Sequence, residues 1–123
     1  MDVRLSEAEL AVMEALWAAG RPQTATDIAA LVSAERNWSL ATVKSLISRL
    51  LAKQAIEPAK DGRRFLYTTR IARTDYVGAE SRRFVDRLFG GRLSPLIAQL
   101  AEGEALDEAE IAEIEALLKQ LKS

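Results

Sequence analysis

The sequence contains no cysteine and no histidine. That double absence excludes thiolate and imidazole metal ligands, cysteine nucleophiles, histidine general bases and disulfides together. Ser45 and Ser48 have no base to activate them, so a serine nucleophile is dropped and only carboxylate chemistry would remain for a hydrolase. The expectation is a protein that is not an enzyme and uses no metal or cofactor. Also missing is any apolar run near the roughly 20 residues of a membrane span. Met1-Asp2-Val3-Arg4-Leu5 does not lead into the apolar stretch of a signal peptide. A soluble, cytoplasmic chain without a membrane partner is expected, and there is no internal repeat or low-complexity segment.

The 123 residues, 49% of them hydrophobic, suffice for one domain with an appendage but not for two large cores. A net charge of −1 suggests no partner by itself. Its distribution does. Between Arg36 and Arg70 eight basic residues (Arg36, Lys44, Arg49, Lys53, Lys60, Arg63, Arg64, Arg70) face only Glu57 and Asp61, a local balance of +6. The first 35 residues carry −4 and residues 93–123 carry −5, so a basic middle lies between acidic ends.

Helix signals open the chain. Ser6 and Glu9 stand at capping-box spacing, Leu5 and Leu10 at staple positions, and Leu10, Met13, Leu16 and Trp17 follow at helical spacing until Gly20 and Pro22. Trp17 is expected in the core. Thr24 with Asp27 marks a second start, with Ile28, Leu31 and Val32 as its apolar stripe. Trp38 is expected as a lid between the second and third helices, and Ser39 as the cap of the third. Val43, Leu46, Ile47, Leu50 and Leu51 then recur at i, i+3, i+4, i+7 and i+8, the signature of one buried face.

The period then changes. Residues 56–60 and 64–69 read as two strands joined by Asp61-Gly62-Arg63, and Pro58 restricts the first of them to a sheet edge. Three helices followed by a hairpin is the winged-helix order. Beyond Arg70, Tyr76, Val77, Phe84, Leu88 and Phe89 mark a helix ended by Gly90-Gly91. Ser94-Pro95 reads as a cap followed by a first-turn proline, with Leu96, Ile97 and Leu100 beyond it. Asp107 with Glu110 starts a last helix carrying Ile111, Ile114, Leu117, Leu118 and Leu121. The expected architecture is mainly α with a small β-hairpin wing, divided into a winged helix-turn-helix domain over 1–70 and a helical dimerisation tail over 71–123.

Opposite the apolar stripe of the third helix lie Ala41, Ser45, Ser48 and Ala52, flanked by Thr42, Lys44, Arg49 and Lys53. No acid lies between Ser39 and Ile56. Small polar residues with cationic edges allow close approach to a major groove, where acids would repel phosphate. A solvated amphipathic helix with a basic bias would read the same way. The hairpin tip, with Lys60, Arg63 and Arg64, is either an ordinary charged turn or a wing aimed at phosphates. Helix order, basic helix and basic wing together favour double-stranded DNA, contacted by Ala41, Thr42, Lys44, Ser45, Ser48, Arg49, Arg63 and Arg64. The rival is a protein-interaction adaptor on the same scaffold. In the tail, Tyr76, Phe84, Leu88, Leu96, Ile97, Leu100, Ile111, Ile114 and Leu118 form stripes on helices too few to enclose them, which points to a homodimer. The alternative is a tail folded back on its own domain.

Leu5-Ser6-Glu7-Ala8-Glu9-Leu10-Ala11-Val12-Met13-Glu14-Ala15-Leu16-Trp17, Asn37-Trp38-Ser39, Thr42-Val43-Lys44-Ser45-Leu46-Ile47-Ser48-Arg49-Leu50, Gly62-Arg63 and Tyr67 together resemble the penicillinase-repressor family. The likeness continues through Tyr76-Val77, Glu80-Ser81, Phe84 and the 91–100 segment. It implies a homodimeric transcriptional repressor of a palindromic operator, acting in antibiotic-resistance regulation. It also implies release by a sensor-linked protease, the cleaved bond falling between Gln99 and Leu100, where characterised members have Asn-Phe. Copper-responsive relatives carry cysteines near the C-terminus; this chain has none.

Overall fold

The computed structural model describes residues 3–123; Met1 and Asp2, read above as the start of a leaderless chain, lie outside the described residues. The order is α1 (Glu7–Ala19), α2 (Ala25–Val32), α3 (Leu40–Ala52), β1 (Ile56–Asp61), β2 (Arg64–Thr69), α4 (Arg73–Phe89), α5 (Leu93–Glu102) and α6 (Glu108–Lys122). Two compact units result, Met1–Glu80 and Ser81–Ser123. The hairpin ends at Thr69, but the first unit runs on to Glu80 because the first turn of α4 packs on α1. Tyr76 is 7% exposed, with its ring centroid 6.1 Å from that of Trp17.

Each of the first three helices begins at the polar residue expected of it. Ser6 Oγ accepts from the Glu9 amide (3.1 Å) while the Glu9 carboxylate accepts from the Ser6 amide (2.7 Å). Thr24 and Asp27 repeat the exchange at α2, and Ser39 Oγ accepts from the Thr42 amide at α3. Such caps satisfy donors that a helix start otherwise leaves orphaned.

Between these starts the apolar stripes converge on one core. Val12, Met13 and Leu16 of α1 meet Ile28 and Val32 of α2, Val43, Leu46, Ile47 and Leu50 of α3, and Ala55 and Ile56 at the entry to β1. Each buried Val, Leu, Ile or Met side chain contributes about 1.5–3 kcal/mol on leaving water. Leu31 departs from its expected stripe: it is 47% exposed and lines a shallow groove between α1 and α2 with Leu10 and Val32. Trp17 and Trp38 lie at the margin of the core, half-buried rather than enclosed. The Trp17 indole N–H donates to the Ile71 carbonyl (3.0 Å), and the Arg36 guanidinium lies 5.1 Å over the Trp38 ring.

The hairpin is tighter than the sequence suggests. Asp61 pairs with Arg64 inside the ladder, leaving Gly62-Arg63 as a two-residue turn. Gly62 has φ 66 and Arg63 is not among the positive-φ residues, the pattern of a type II′ turn with glycine first. A further bridge joins Gln23 to Tyr67, with Tyr67 N–H to Gln23 O at 2.8 Å and the reverse at 3.1 Å. β2 is thereby flanked on both sides and β1 becomes the edge. Because Tyr67 turns its polar groups to Gln23, the Pro58–Tyr67 pair is a non-hydrogen-bonded one, and the proline removes no ladder bond.

The second unit holds the remainder of α4, then α5 and α6. Gly90 (φ 60) and Gly91 (φ 81) end α4 in left-handed backbone, which side chains with a Cβ adopt at a cost. The next helix begins earlier than Ser94-Pro95 predicts: Arg92 is the N-cap and Leu93 the first helical residue. Pro95 still lies in the first turn, where a missing N–H breaks no helical bond.

A buried carboxylate ties the two ends of this core together. Glu9 is 2% exposed and accepts from Lys53 Nζ (2.5 Å), which also donates to the Arg4 carbonyl (2.7 Å). Burial pushes the Glu9 carboxyl up, but hydrogen bonds from Lys53 and Ser6 and the Lys53 charge outweigh it and hold it below its ordinary 4.5. A carboxyl depressed by folding stabilises at pH above its unfolded value and loses that contribution as pH falls through the folded one. Thermal melts are expected to hold level from neutral pH to near 4.5 and to decline below it. Glu9→Gln should cost roughly 1–3 kcal/mol at neutral pH and flatten the acid decline; a variant melting like the parent would refute the role.

Candidate nucleic-acid interface

Burying one face of α3 decides what its other face can do. With Val43, Leu46, Ile47 and Leu50 in the core, the residues left exposed are Leu40 at the helix start, Ala41, Thr42, Lys44, Ser45, Ser48, Arg49, Ala52 and, at the C-cap, Lys53. The sequence-predicted contact residues of this helix thus share one open, acid-free surface about 20 Å long. Thr42 is partly engaged, its hydroxyl 3.1 Å from Ser39 Oγ. The side chains of Lys44 and Arg49 form no hydrogen bond or ion pair among the described residues. Lys53, at the far end of the flank, is held by Glu9 and Arg4 and belongs to the core's closure.

The wing divides its cations in the same way. Arg64 donates through Nε (3.1 Å) and Nη2 (2.9 Å) to Asp61 Oδ2, closing the hairpin. Arg63, in the turn, and Lys60, one pair below, are exposed, and their side chains have no partner among the described residues. Arg21 was not legible as part of this surface, because it lies outside the basic 36–70 stretch. It is exposed, and its charge also acts on Asp27. The Asp27 carboxyl is held below its ordinary value chiefly by accepting the Thr24 amide and hydroxyl hydrogen bonds, and then by the charges of Arg64 and Arg21.

In the second unit, Phe84, Leu88, Leu100, Ile111 and Leu118 are exposed and Leu96, Ile97 and Ile114 are half-buried. Leu88 is 57% exposed. Tyr76 differs from these, packing on Trp17 of the same chain. Gln99 and Leu100 occupy the last turn of α5, their carbonyls accepting from the Gly103 (3.2 Å) and Ala105 (3.0 Å) amides. No helix is long and apolar enough to cross a membrane among the described residues.

The sequence model of the family described as penicillinase repressor matches residues 5–120, both units included. The chain belongs to the penicillinase repressor family. It is 31% identical over 120 residues to the penicillinase repressor of Bacillus licheniformis, covering 98% of this chain and 93% of that one. To the methicillin resistance regulatory protein MecI of Mammaliicoccus sciuri it is 29% identical over 116 residues, 94% of each chain. Among solved structures it is similar to monomeric B. licheniformis BlaI bound to the blaP half-operator, with TM-score 0.52 and 32% identity over 60% of this chain and 89% of that one. Reduced Escherichia coli MarR shares the fold alone, with TM-score 0.52 and 18% identity over 95% of this chain and 77% of that one. The family is one of winged-helix, DNA-binding transcriptional repressors, and this member has the winged-helix architecture in its first unit.

Asp61 restrains one of the wing's cations, so its removal has a definite consequence. Asp61→Asn should free Arg64, tighten nonspecific duplex binding and steepen the dependence of log K on log salt by about one charge. A slope equal to the parent's, in a titration against salt, would place Arg64 away from the nucleic acid.

Proposed function

We propose that the protein is a homodimeric repressor that reads a palindromic operator, laying α3 of each protomer in a major groove with the wing against the adjacent backbone. The observation that carries this reading is the exposed face of α3: small and polar at its centre, cationic at Lys44 and Arg49, without a single acid. Ala41, Ser45 and Ser48 allow close approach to base edges, and Thr42, Lys44 and Arg49 supply the donors. Arg63 and Lys60, and Arg64 once released from Asp61, meet phosphates. The half-operator bound by the similar BlaI supports a like use of this domain.

The dimer is assigned to the apolar faces of the tail, with Phe84, Leu88, Leu96, Ile97, Leu100, Ile111, Ile114 and Leu118 as the contacts. Aliphatic and aromatic side chains left this open in one chain are stabilised when a second copy covers them. Two linked reading heads also bind paired half-sites far more tightly than one. Induction is assigned to a sensor-linked protease cutting between Gln99 and Leu100. That bond lies in a helical turn, so cleavage first requires the end of α5 to unwind. Glu104, with φ 58 just beyond, is a non-glycine residue in left-handed backbone, a local strain that lowers the cost of such opening.

Quantitative DNA titrations test the reading. Lys44→Ala or Arg49→Ala should weaken binding to the selected palindrome by roughly 1–3 kcal/mol where a base is read. Arg63→Ala should weaken selected and random duplexes alike, because a phosphate contact carries no sequence information. Unchanged affinity in the first two variants would favour a protein-interaction adaptor. Separately, sedimentation should give a dimer for the full chain and a monomer for residues 1–80. A full-length monomer at micromolar concentration would refute the assembly.

A further inference from the structure

The connection between the DNA-reading unit and α4 is held at every step. Only Arg70, Ile71 and Ala72 separate β2 from α4. The Arg70 amide donates to the Ala55 carbonyl (2.8 Å), and the Ile71 carbonyl accepts the Trp17 indole N–H (3.0 Å). At the next residue but one, Arg73 makes a two-toothed contact with Glu14, Nε to Oε1 at 2.7 Å and Nη2 to Oε2 at 3.2 Å. Tyr76 then packs on Trp17. Glu14 and Trp17 stand one turn apart on the same face of α1, so a single face of that helix grips the connector and the first turn of α4.

Stability alone is a poor account of this arrangement. Glu14 and Arg73 are 44% and 55% exposed, and ion pairs so open to solvent contribute little to folding. What a bidentate guanidinium–carboxylate contact does supply is orientation, because both groups are planar and two parallel bonds fix their relative angle. Orientation matters here because α4 is a long lever. Its 17 residues span roughly 25 Å, so a tilt of about 10° at the first turn displaces the far end by about 4 Å. One base-pair step is about 3.4 Å.

We propose that Glu14, Trp17 and Arg73 are positioning residues for operator spacing: by clamping the start of α4 to α1 they set the separation of half-sites that one dimer can engage. None of the three touches DNA in this assignment. The proposal rests on the reading of the protein as a dimer on paired half-sites, and it locates the choice of spacing in the clamp instead of in the tail contacts.

The test uses the full-length protein to enrich sequences from a randomised duplex pool, comparing the parent with Glu14→Gln, Arg73→Gln, Trp17→Phe and the exchange Glu14→Arg/Arg73→Glu. Trp17→Phe keeps an aromatic ring against Tyr76 while deleting the donor to Ile71. The parent should enrich paired half-sites at one spacing. Each single variant should enrich the same half-site sequence over a wider range of spacings. Each should bind the parent's selected duplex roughly tenfold less tightly, yet bind an isolated half-site duplex within about twofold of the parent. The charge exchange should restore the single spacing. If the single variants keep the parent's spacing, the proposal is overturned. It is equally overturned if melting temperature, half-site affinity and paired-site affinity fall together, for that is the behaviour of a merely structural contact. A parent pool without paired half-sites would refute the dimer reading itself, and the clamp's role with it.

Discussion

Four apolar side chains on one face of α3, Val43, Leu46, Ile47 and Leu50, set the terms for everything around them. Two of the four are β-branched and so gain little from helix propensity; their burial against α1 and α2 holds the helix in place. Once that face is committed, the rotation of α3 about its axis is determined. Lys44, Ser45, Ser48 and Arg49 are then presented together, not scattered around the helix. A register shift of one residue would turn Lys44 toward the core and Leu46 toward solvent, so folding and presentation of this exposed face are one event.

Charge is handled by restraint as much as by accumulation. Of the cations along α3 and the wing, Lys53 is held by Glu9 and Arg64 by Asp61, while Lys44, Arg49, Lys60 and Arg63 stay open. The restrained pair do structural work: one closes the N-terminal segment over the core and the other closes the hairpin. The open set is thus smaller than a count of basic residues suggests and more sharply placed. Over residues 93–123 seven acids oppose two lysines, a local charge that repels phosphate.

Rigidity follows a similar division. The wing is tied to the α1–α2 loop through Gln23 and Tyr67, and the connector to α1 through Trp17 and Glu14. Both ties join segments more than forty residues apart within the first unit. The last turn of α5, with left-handed Glu104 beyond it, is a region without comparable bracing among the described residues.

Much of this was legible in order of residues alone, because the governing forces are local. Ser6, Thr24, Ser39 and Asp107 each cap the helix they announce, since a capping hydrogen bond spans three residues and needs no distant partner. The 3.6-residue stripe of α3 names its buried face, and by subtraction its open one. The hairpin's place was equally plain, although its turn proved one residue shorter because Asp61 and Arg64 pair across it. What tertiary structure alone decided are contacts at long separation: Lys53 on Glu9, Tyr67 on Gln23, Tyr76 on Trp17, Arg73 on Glu14. Tyr76 shows why. Its position in an apolar stripe is the same whether a second copy or its own domain covers it. Periodicity reports that a face must be buried and is silent on what buries it, because that depends on how the chain returns through space.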